Sequence, residues 1–259
     1  MSSSNPFTSE NTFSKNNLGQ ASENGVMTIQ GAVNKSLILG GILVLTAIIA
    51  SYIFTANMVI VDGQVISMPS YLTPMMYGSA ILGFILVMAS YFKPTIAPIT
   101  APIYAVVEGV FIGIISTVYA YAFGPGIVFN AIMLTALCLV SMLLAYKFGI
   151  IKPTQKFRSM IVTATGAIML VYLVNMGMHM FGSSIPYLHQ GGLVGIGISL
   201  VIIAIAVLNL ILDFDNIERG ARSGAPKYME WVTSLGLLVT LVWIYIEILR
   251  LLSIFASND

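Results

Sequence analysis

The most informative shortage in this sequence is of charge. Of the 259 residues, Lys and Arg number 11 and Asp and Glu number 10, so charged residues make up 8% of a chain that is 58% hydrophobic. Soluble domains carry roughly 25% charged residues. With a mean hydropathy of +0.93, the chain has too little polar surface to cover itself in water. Lipid is therefore its predicted solvent.

Cysteine is equally scarce, and the common motifs of enzyme chemistry are missing. Cys138 is the single cysteine, which excludes a disulfide framework and a CxxC site for metal or redox chemistry. No GxSxG, HExxH, GxxxxGK[ST] or strand-associated GxGxxG pattern occurs, and no basic patch suggests nucleic acid. We therefore expect no enzyme activity, no cofactor and no nucleic-acid partner.

Long apolar runs are what the sequence has in abundance. Residues 1–30 are polar and are predicted to form a disordered cytoplasmic tail, and residues 31–259 are predicted to form one transmembrane domain. Each apolar run is near the roughly 20 residues that a helix needs to cross about 30 Å of hydrocarbon. The seven predicted spans are residues 36–57, 71–92, 101–123, 127–146, 158–181, 192–218 and 231–254. Lipid offers no partner to an open strand, so the predicted fold class is all-α with seven transmembrane helices.

The distribution of Lys and Arg predicts how this bundle is oriented. Ten of these residues fall in the tail, the first helix entry and linkers 2–3, 4–5 and 6–7, whereas linkers 1–2, 3–4 and 5–6 hold none. The positive-inside rule then predicts a multi-pass protein of the inner (cytoplasmic) membrane, with the N-terminus cytoplasmic and the C-terminus outside. The eleventh residue, Arg250, falls near the outer end of span seven, where its side chain is predicted to snorkel to the interface.

Acidic residues inside the spans are the candidate functional groups, because ionisable side chains in a membrane usually face a cavity, a partner or a conduction path. Glu108 falls in span three, Asp213 and Asp215 fall in span six, and Glu247 falls in span seven. Asp213 and Asp215 are about 200° apart around a helix and cannot face the same partner. Glu247 and Arg250 are three residues apart, which also suits a local ion pair.

Depth along the helices suggests which acids could meet. From the 1.5 Å rise per residue, Asp213 lies roughly 8 Å and Glu108 roughly 11 Å from the inner ends of their spans, whereas Glu247 lies roughly 24 Å in. Asp213 and Glu108 could therefore share a layer. Two nearby carboxylates in a low dielectric do not both ionise readily, so such a pair would share a proton.

Glycine spacing in span three predicts close helix packing. Gly109 and Gly113 have the GxxxG spacing that lets two helix backbones approach each other. We interpret this pair as a packing seam and not as a ligand cradle.

Several stretches together resemble one protein family. They are LILDFDNIERG (210–220), YAVVEGVFIGIIS (104–116), GPGIV (124–128), the KFR entry to span five, and WIYIEILRLL (243–252). The chain resembles the bacterial branch of the Bax inhibitor 1-like family, the transmembrane Bax inhibitor motif proteins, over about residues 30–255. The resemblance implies a seven-helix fold whose last helix is central and is surrounded by the other six.

The same resemblance implies a function. Characterised members form a pH-sensitive calcium leak controlled by acids on spans six and seven, which fall here on Asp213 and Glu247. These two acids are also the predicted weak calcium ligands, because calcium prefers oxygen ligands and conduction needs weak binding. The second acid is Glu where the family usually has Asp, and 34 residues separate the pair (247 − 213), so Glu108 stays open as the partner of Asp213. The family's basic gating residue in an early span has no match.

The alternative function belongs to another class. On that interpretation the protein does not conduct ions but binds other membrane proteins in quality control or in cell-death and stress pathways, and the acids hold helices together. The lipid bilayer is a predicted partner in either case, and calcium or another cation is predicted only in the first.

Overall fold

The computed structural model describes residues 25–61, 64–180 and 192–258. Within these residues the chain forms seven α-helices, a 3₁₀ turn at Pro94–Ile96 and two short antiparallel strands. The helices are α1 (Ile29–Ala56), α2 (Leu72–Phe92), α3 (Ala97–Phe123), α4 (Gly126–Lys147), α5 (Gln155–Met180), α6 (Leu193–Arg222) and α7 (Met229–Asn258), and the strands are β1 (Val59–Val61) and β2 (Gln64–Ser67).

Six helices of the described residues are long and apolar enough to cross a membrane, namely α1, α2, α3 with the preceding 3₁₀ turn, α4, α6 and α7. This confirms the helical membrane fold. Helix α5 has 26 residues but is not among the six, so the count of seven spans stays a prediction.

The two strands are an addition to the predicted all-α fold. They connect α1 to α2 on either side of Asp62 and Gly63, which lie outside the described residues. Short runs rich in Val and Ile that flank an Asp-Gly pair are typical of a β-hairpin. The predicted all-α class is unaffected, because every long apolar run within the described residues is helical.

The predicted tail is too long at its C-terminal end. Helix α1 begins at Ile29, seven residues before the predicted span at 36 (36 − 29), and Thr28 caps it by accepting a hydrogen bond from the Gly31 amide at 2.9 Å. The residues just before the helix are also held, because the Met27 amide donates to the Ala225 carbonyl at 2.8 Å. Residues 25–30, which the prediction assigns to the tail, therefore belong to the folded part of the chain.

Helix α7 packs against α6, α1, α4 and α3, and more slightly against α2. Its apolar residues supply much of the largest core cluster, including Leu235, Leu238, Ile244 and Leu249. Burying apolar faces in this way also brings the polar residues of α7 inside the bundle, among them Glu247. The interior position of α7 decides where the candidate functional groups lie.

The glycines of α3 form the predicted packing seam. A Cβ atom added at Gly109 would lie 2.6 Å from the Leu43 carbonyl oxygen of α1, and one at Gly113 would lie 2.6 Å from the Ala47 carbonyl oxygen. Real Cβ atoms do not approach so closely, so both positions need glycine. The interpretation of GxxxG as a seam between helix backbones is confirmed.

Helix α5 lies alongside α6 in the opposite direction. Near the start of α5, Arg158 pairs with Asp215 near the end of α6. Seven residues further along α5, Thr165 accepts a hydrogen bond from Asn209, which lies six residues earlier in α6. Contacts that advance along one helix and retreat along the other indicate antiparallel packing.

Candidate functional site

Polar side chains follow the interface of α5, α6 and α7 through much of the bundle. We call this set the polar seam: Arg158, Thr165 and Tyr172 of α5; Ser199, Asn209, Asp213 and Asp215 of α6; and Thr240, Glu247 and Arg250 of α7. From Arg158 to Tyr172 the seam extends roughly 21 Å along α5. Apolar residues dominate the rest of the core, so this seam is where the structure places most of the candidate groups.

Asp215 is a paired acid at one end of the seam. Its Oδ2 atom lies 2.5 Å from an Arg158 nitrogen and 2.8 Å from an Arg219 nitrogen, and the residue is buried. Arg158 also donates to the Asn216 side-chain oxygen at 3.0 Å. Two guanidinium groups neutralise this carboxylate, so its evident role is to join α5 to α6.

Asp213 lies in a different environment two residues away. Its carboxyl group faces α7, where Oδ1 lies 3.7 Å from the position of a Cβ added at Gly236. Thr240 lies beside the same group, and its hydroxyl donates to the Gly236 carbonyl oxygen at 3.2 Å. Its Oδ2 atom is inaccessible to solvent and has no hydrogen-bond partner in the described part of the chain. Asp213 is therefore the predicted acid that lies inside the polar seam and takes part in none of the ion pairs formed by the described residues.

Glu247 and Arg250 form the other end of the seam. The two side chains lie 3.4 Å apart, which confirms the predicted local ion pair. Glu247 also accepts a hydrogen bond from the Tyr172 hydroxyl. Arg250 donates to Tyr172 at 2.8 Å and to Ser199 at 3.1 Å. The prediction that Arg250 snorkels to the interface is therefore wrong, because these hydroxyl groups hold the guanidinium group inside the bundle.

Glu108 lies away from the seam, between α2 and α3. Its Oε2 atom is 2.8 Å from the position of a Cβ added at Gly83, so the glycine leaves the space that the carboxyl group occupies. The ring of Tyr104 lies beside the same glycine. The glutamate is buried here.

The structure does not bring Asp213 into contact with either predicted partner. Asp213 faces Thr240, which precedes Glu247 by seven residues or roughly 10 Å along α7, and Glu108 faces another helix pair. Among the described residues, no group of three or more His, Cys, Asp or Glu side chains could hold a metal ion. The register of α6 against α7 places the carboxyl groups of Asp213 and Glu247 at different levels along α7, and the calcium site at these two acids stays a prediction.

One buried acid was not predicted at all. Glu230, in the first turn of α7, has 0% exposure. It accepts hydrogen bonds from the Thr28 amide at 2.9 Å and the Thr28 hydroxyl at 3.1 Å, and it pairs with Lys35 and with Lys227, the latter at 2.9 Å. We call these four residues the amino-terminal clip.

The clip escaped prediction because Glu230 directly precedes the segment predicted as span seven, where a charged helix end is ordinary. One signal was available in the sequence. Glu230 lies in the first turn of a helix, where the helix dipole stabilises an acid, and Lys227 is three residues away. Its long-range partners, Thr28 and Lys35, could not be found from spacing, since they lie about 200 residues away.

Comparison with known proteins gives a match to a family model. No curated protein and no solved structure matches the chain. The family model described as Bax inhibitor 1 like matches residues 5–257, nearly the whole sequence. This match confirms the resemblance found in the sequence motifs. The chain belongs to the Bax inhibitor 1-like family.

Proposed function

We propose that this protein is a pH-sensitive cation leak of the cytoplasmic membrane, with calcium as the main ion and Asp213 as the group that responds to pH. The observation that carries the proposal is the position of Asp213, an acid inside the polar seam with an inaccessible oxygen that accepts no hydrogen bond from the described residues. Ionisable groups in such positions are costly and mark ion or proton paths in membrane proteins.

The mechanism follows from the contrast between Asp213 and its neighbours. Asp215 and Glu247 are both paired with arginine, so each stays compensated when ionised. An ionised Asp213 adds a negative charge at the α6–α7 contact, and no ion pair among the described residues offsets it. That charge attracts a cation and weakens the packing of Asp213 against Gly236 and Thr240. Flux should therefore rise as the pH rises.

The proposal includes seven spans, a cytoplasmic N-terminus and a central α7. Its support is that α5 contacts α6 at the Arg158–Asp215 and Thr165–Asn209 pairs and reaches α7 at Tyr172. From Arg158 to Tyr172 this is roughly 21 Å of helix, out of about 30 Å of hydrocarbon. A helix that accompanies a spanning neighbour over this length crosses most of the membrane with it. The packing of α7 against α1, α3, α4 and α6 supports its central position.

The proposal is tested by calcium flux into liposomes that contain only the purified protein, at about pH 6 and about pH 8. The wild type should conduct more at the higher pH, and Asp213→Asn should lose this difference because the amide has no proton to release. Glu108→Gln is the matched control, since it neutralises another buried acid at another helix interface. It should keep the pH dependence.

Coupling between the acids is measured by combining the substitutions. If Asp213 shares a proton with Glu247 through a conformational change, the effects of Asp213→Asn and Glu247→Gln on pH dependence will not add. The separation of roughly 10 Å along α7 leads us to expect additive effects. A wild type that passes no calcium at either pH would contradict the leak and support the non-conducting interaction protein.

A further inference from the structure

A long apolar groove opens on the surface of the bundle between α1 and α4. Its volume is about 660 Å³, and its floor is formed by α3 and α7. On α1 the lining extends from Gly40 to Thr55, which is roughly 22 Å of helix and most of the thickness of the hydrocarbon layer. We propose that this groove is a binding site for one acyl chain of a membrane phospholipid, which lies parallel to the helices and touches α7.

The lining has the chemistry of a hydrocarbon site. Most of its side chains are apolar, and the hydroxyl groups along its middle are already engaged. The Ser51 and Thr117 hydroxyl groups form a hydrogen bond at 2.8 Å, and the Ser116 and Tyr245 hydroxyl groups form one at 2.7 Å. Thr135 donates to a carbonyl of its own helix. A ligand in the middle of the groove therefore finds few unsatisfied polar groups, which suits an acyl chain and disfavours water or a polar solute.

The two ends of the groove differ, as an amphiphile requires. Gly40, Leu43 and Val44 mark one end on α1, whereas Tyr52 and Thr55 mark the other. Tyr52 is highly exposed, and tyrosines are enriched where membranes meet water. The headgroup of the bound lipid should therefore lie at the Tyr52 end, on the side of the β-hairpin.

The groove is continuous with the lipid-facing surface. On α1, Leu45 and Ile48 beside the groove are exposed, and on α4 the same holds for Ile132 and Leu137. An acyl chain can therefore enter sideways from the bilayer. A further α-helix, about 10 Å across, would fill on the order of 1,700 Å³ over the same 22 Å. A groove of about 660 Å³ encloses less than half of that volume, so most of such a helix would lie outside the lining, whereas an acyl chain is narrow enough to lie within it.

Photo-crosslinking tests the site in the intact protein. The wild type is placed in liposomes of phosphatidylethanolamine and phosphatidylglycerol that include a phospholipid with a diazirine in its acyl chain, and the adducts are mapped by mass spectrometry. Leu238, Val242 and Tyr245 of α7 line the groove yet are buried from the general surface. Label on these residues is expected, whereas a wild type labelled only on its outer faces would overturn the proposal.

Matched substitutions on adjacent residues separate the groove from the rest of the surface. A Cβ added at Gly40 or at Gly41 meets nothing within 4 Å, so both helix positions tolerate a larger side chain. Gly40 lines the groove and Gly41 does not. Gly40→Phe combined with Ala136→Phe should abolish the label on α7, whereas Gly41→Phe should keep it.

Native mass spectrometry after detergent exchange gives a second measurement that requires no variant. The wild type should retain one phospholipid per protein, and the filled variant should retain none. Equal lipid content in wild type and filled variant would overturn the site, and so would a lipid-free wild type that forms dimers. The latter result would identify the groove as an interface between copies.

Discussion

Two aspartates that are two residues apart have different roles because the helix turns them in different directions. Asp215 meets Arg158 and Arg219, whereas Asp213 meets Gly236 and Thr240 of α7. The same chemical group is compensated at one position and uncompensated at the other. Proximity in sequence therefore says little about the electrostatic role of a buried acid.

The Asp215 pair yields a test of stability at the residue scale. Asp215→Asn leaves the guanidinium of Arg158 without its carboxylate, and breaking a buried ion pair from one side costs roughly 3 kcal/mol. Adding Arg158→Met to Asp215→Asn should recover part of the lost stability, because the unpaired guanidinium charge is then removed. Unfolding in a titration with SDS measures both. Strictly additive losses would show that the two residues are not coupled.

The amino-terminal clip yields a second test. Glu230→Ala should lower the free energy of unfolding by roughly 3 kcal/mol, because Lys35 and the Thr28 amide lose a buried acceptor. It should also release the start of α1, which faster hydrogen exchange at Thr28 to Gly31 would reveal.

Glu218→Gln is the control. Glu218 pairs with the exposed Arg222 at i, i+4 spacing and accepts a hydrogen bond from Tyr146. The amide oxygen of glutamine can still accept that hydrogen bond, so the substitution should cost less than about 1 kcal/mol. Equal effects of the two substitutions would contradict the importance of the clip.

At the scale of the elements, close backbone contact binds α1 to α3. A methyl group at Gly113 would approach the Ala47 carbonyl oxygen to 2.6 Å, and the Ala50 side chain lies at 2.9 Å. Backbone cannot move aside as a flexible side chain can, so the two helices would have to separate.

Gly113→Ala should therefore destabilise the protein by about 1 to 3 kcal/mol, the usual range for overpacking. Gly78→Ala in α2 is the matched control, since a Cβ there meets nothing within 4 Å, and alanine favours a helix by up to about 1 kcal/mol over glycine. Thermal unfolding in detergent should show opposite changes for the two variants. If Gly113→Ala left the unfolding temperature unchanged, α1 and α3 would be able to separate at this contact without loss of stability.

At the scale of the whole molecule, the basic residues and the folded contacts agree on which helix ends lie together. The strand-like contact of Val26 with Pro226 joins the start of α1 to the linker between α6 and α7. The linker between α4 and α5 is on the same side, since Arg219 donates to the Pro153 carbonyl at 3.5 Å. The positive-inside rule predicts that this side faces the cytoplasm, and the contacts themselves do not depend on that orientation.

Reporter fusions test the orientation. A reporter that is active only outside the cytoplasm should be active when fused after Asp259 and when inserted at Gly182, because both positions follow an odd number of proposed spans. A reporter inserted at Gly224 should be inactive. This insertion controls for reporter activity that does not depend on the side of the membrane. If the Gly182 insertion is active and the C-terminal fusion is not, then α7 fails to cross the membrane. Activity at neither position would instead show that α5 does not cross.

Local features were enough to predict the membrane class, the helices and their approximate positions. An apolar run of sufficient length must become a helix in lipid, whatever packs against it. The same argument located Glu108, Asp213, Asp215 and Glu247 inside helices, because an acid in such a run is visible without a structure. The GxxxG seam was also predictable, since its spacing defines one face of a helix.

The partners of those residues were decided by the tertiary structure. Rotation and register of packed helices depend on side chains from several segments at once, so the sequence could not show that Asp213 faces Thr240 or that Arg250 turns inward to Ser199. Glu230 is the clearest case, since its buried position depends on Thr28 and Lys35 at the opposite end of the chain. Hydrophobicity is a property of each segment and can be found along the chain, whereas compensation of a buried charge depends on residues that only folding brings together.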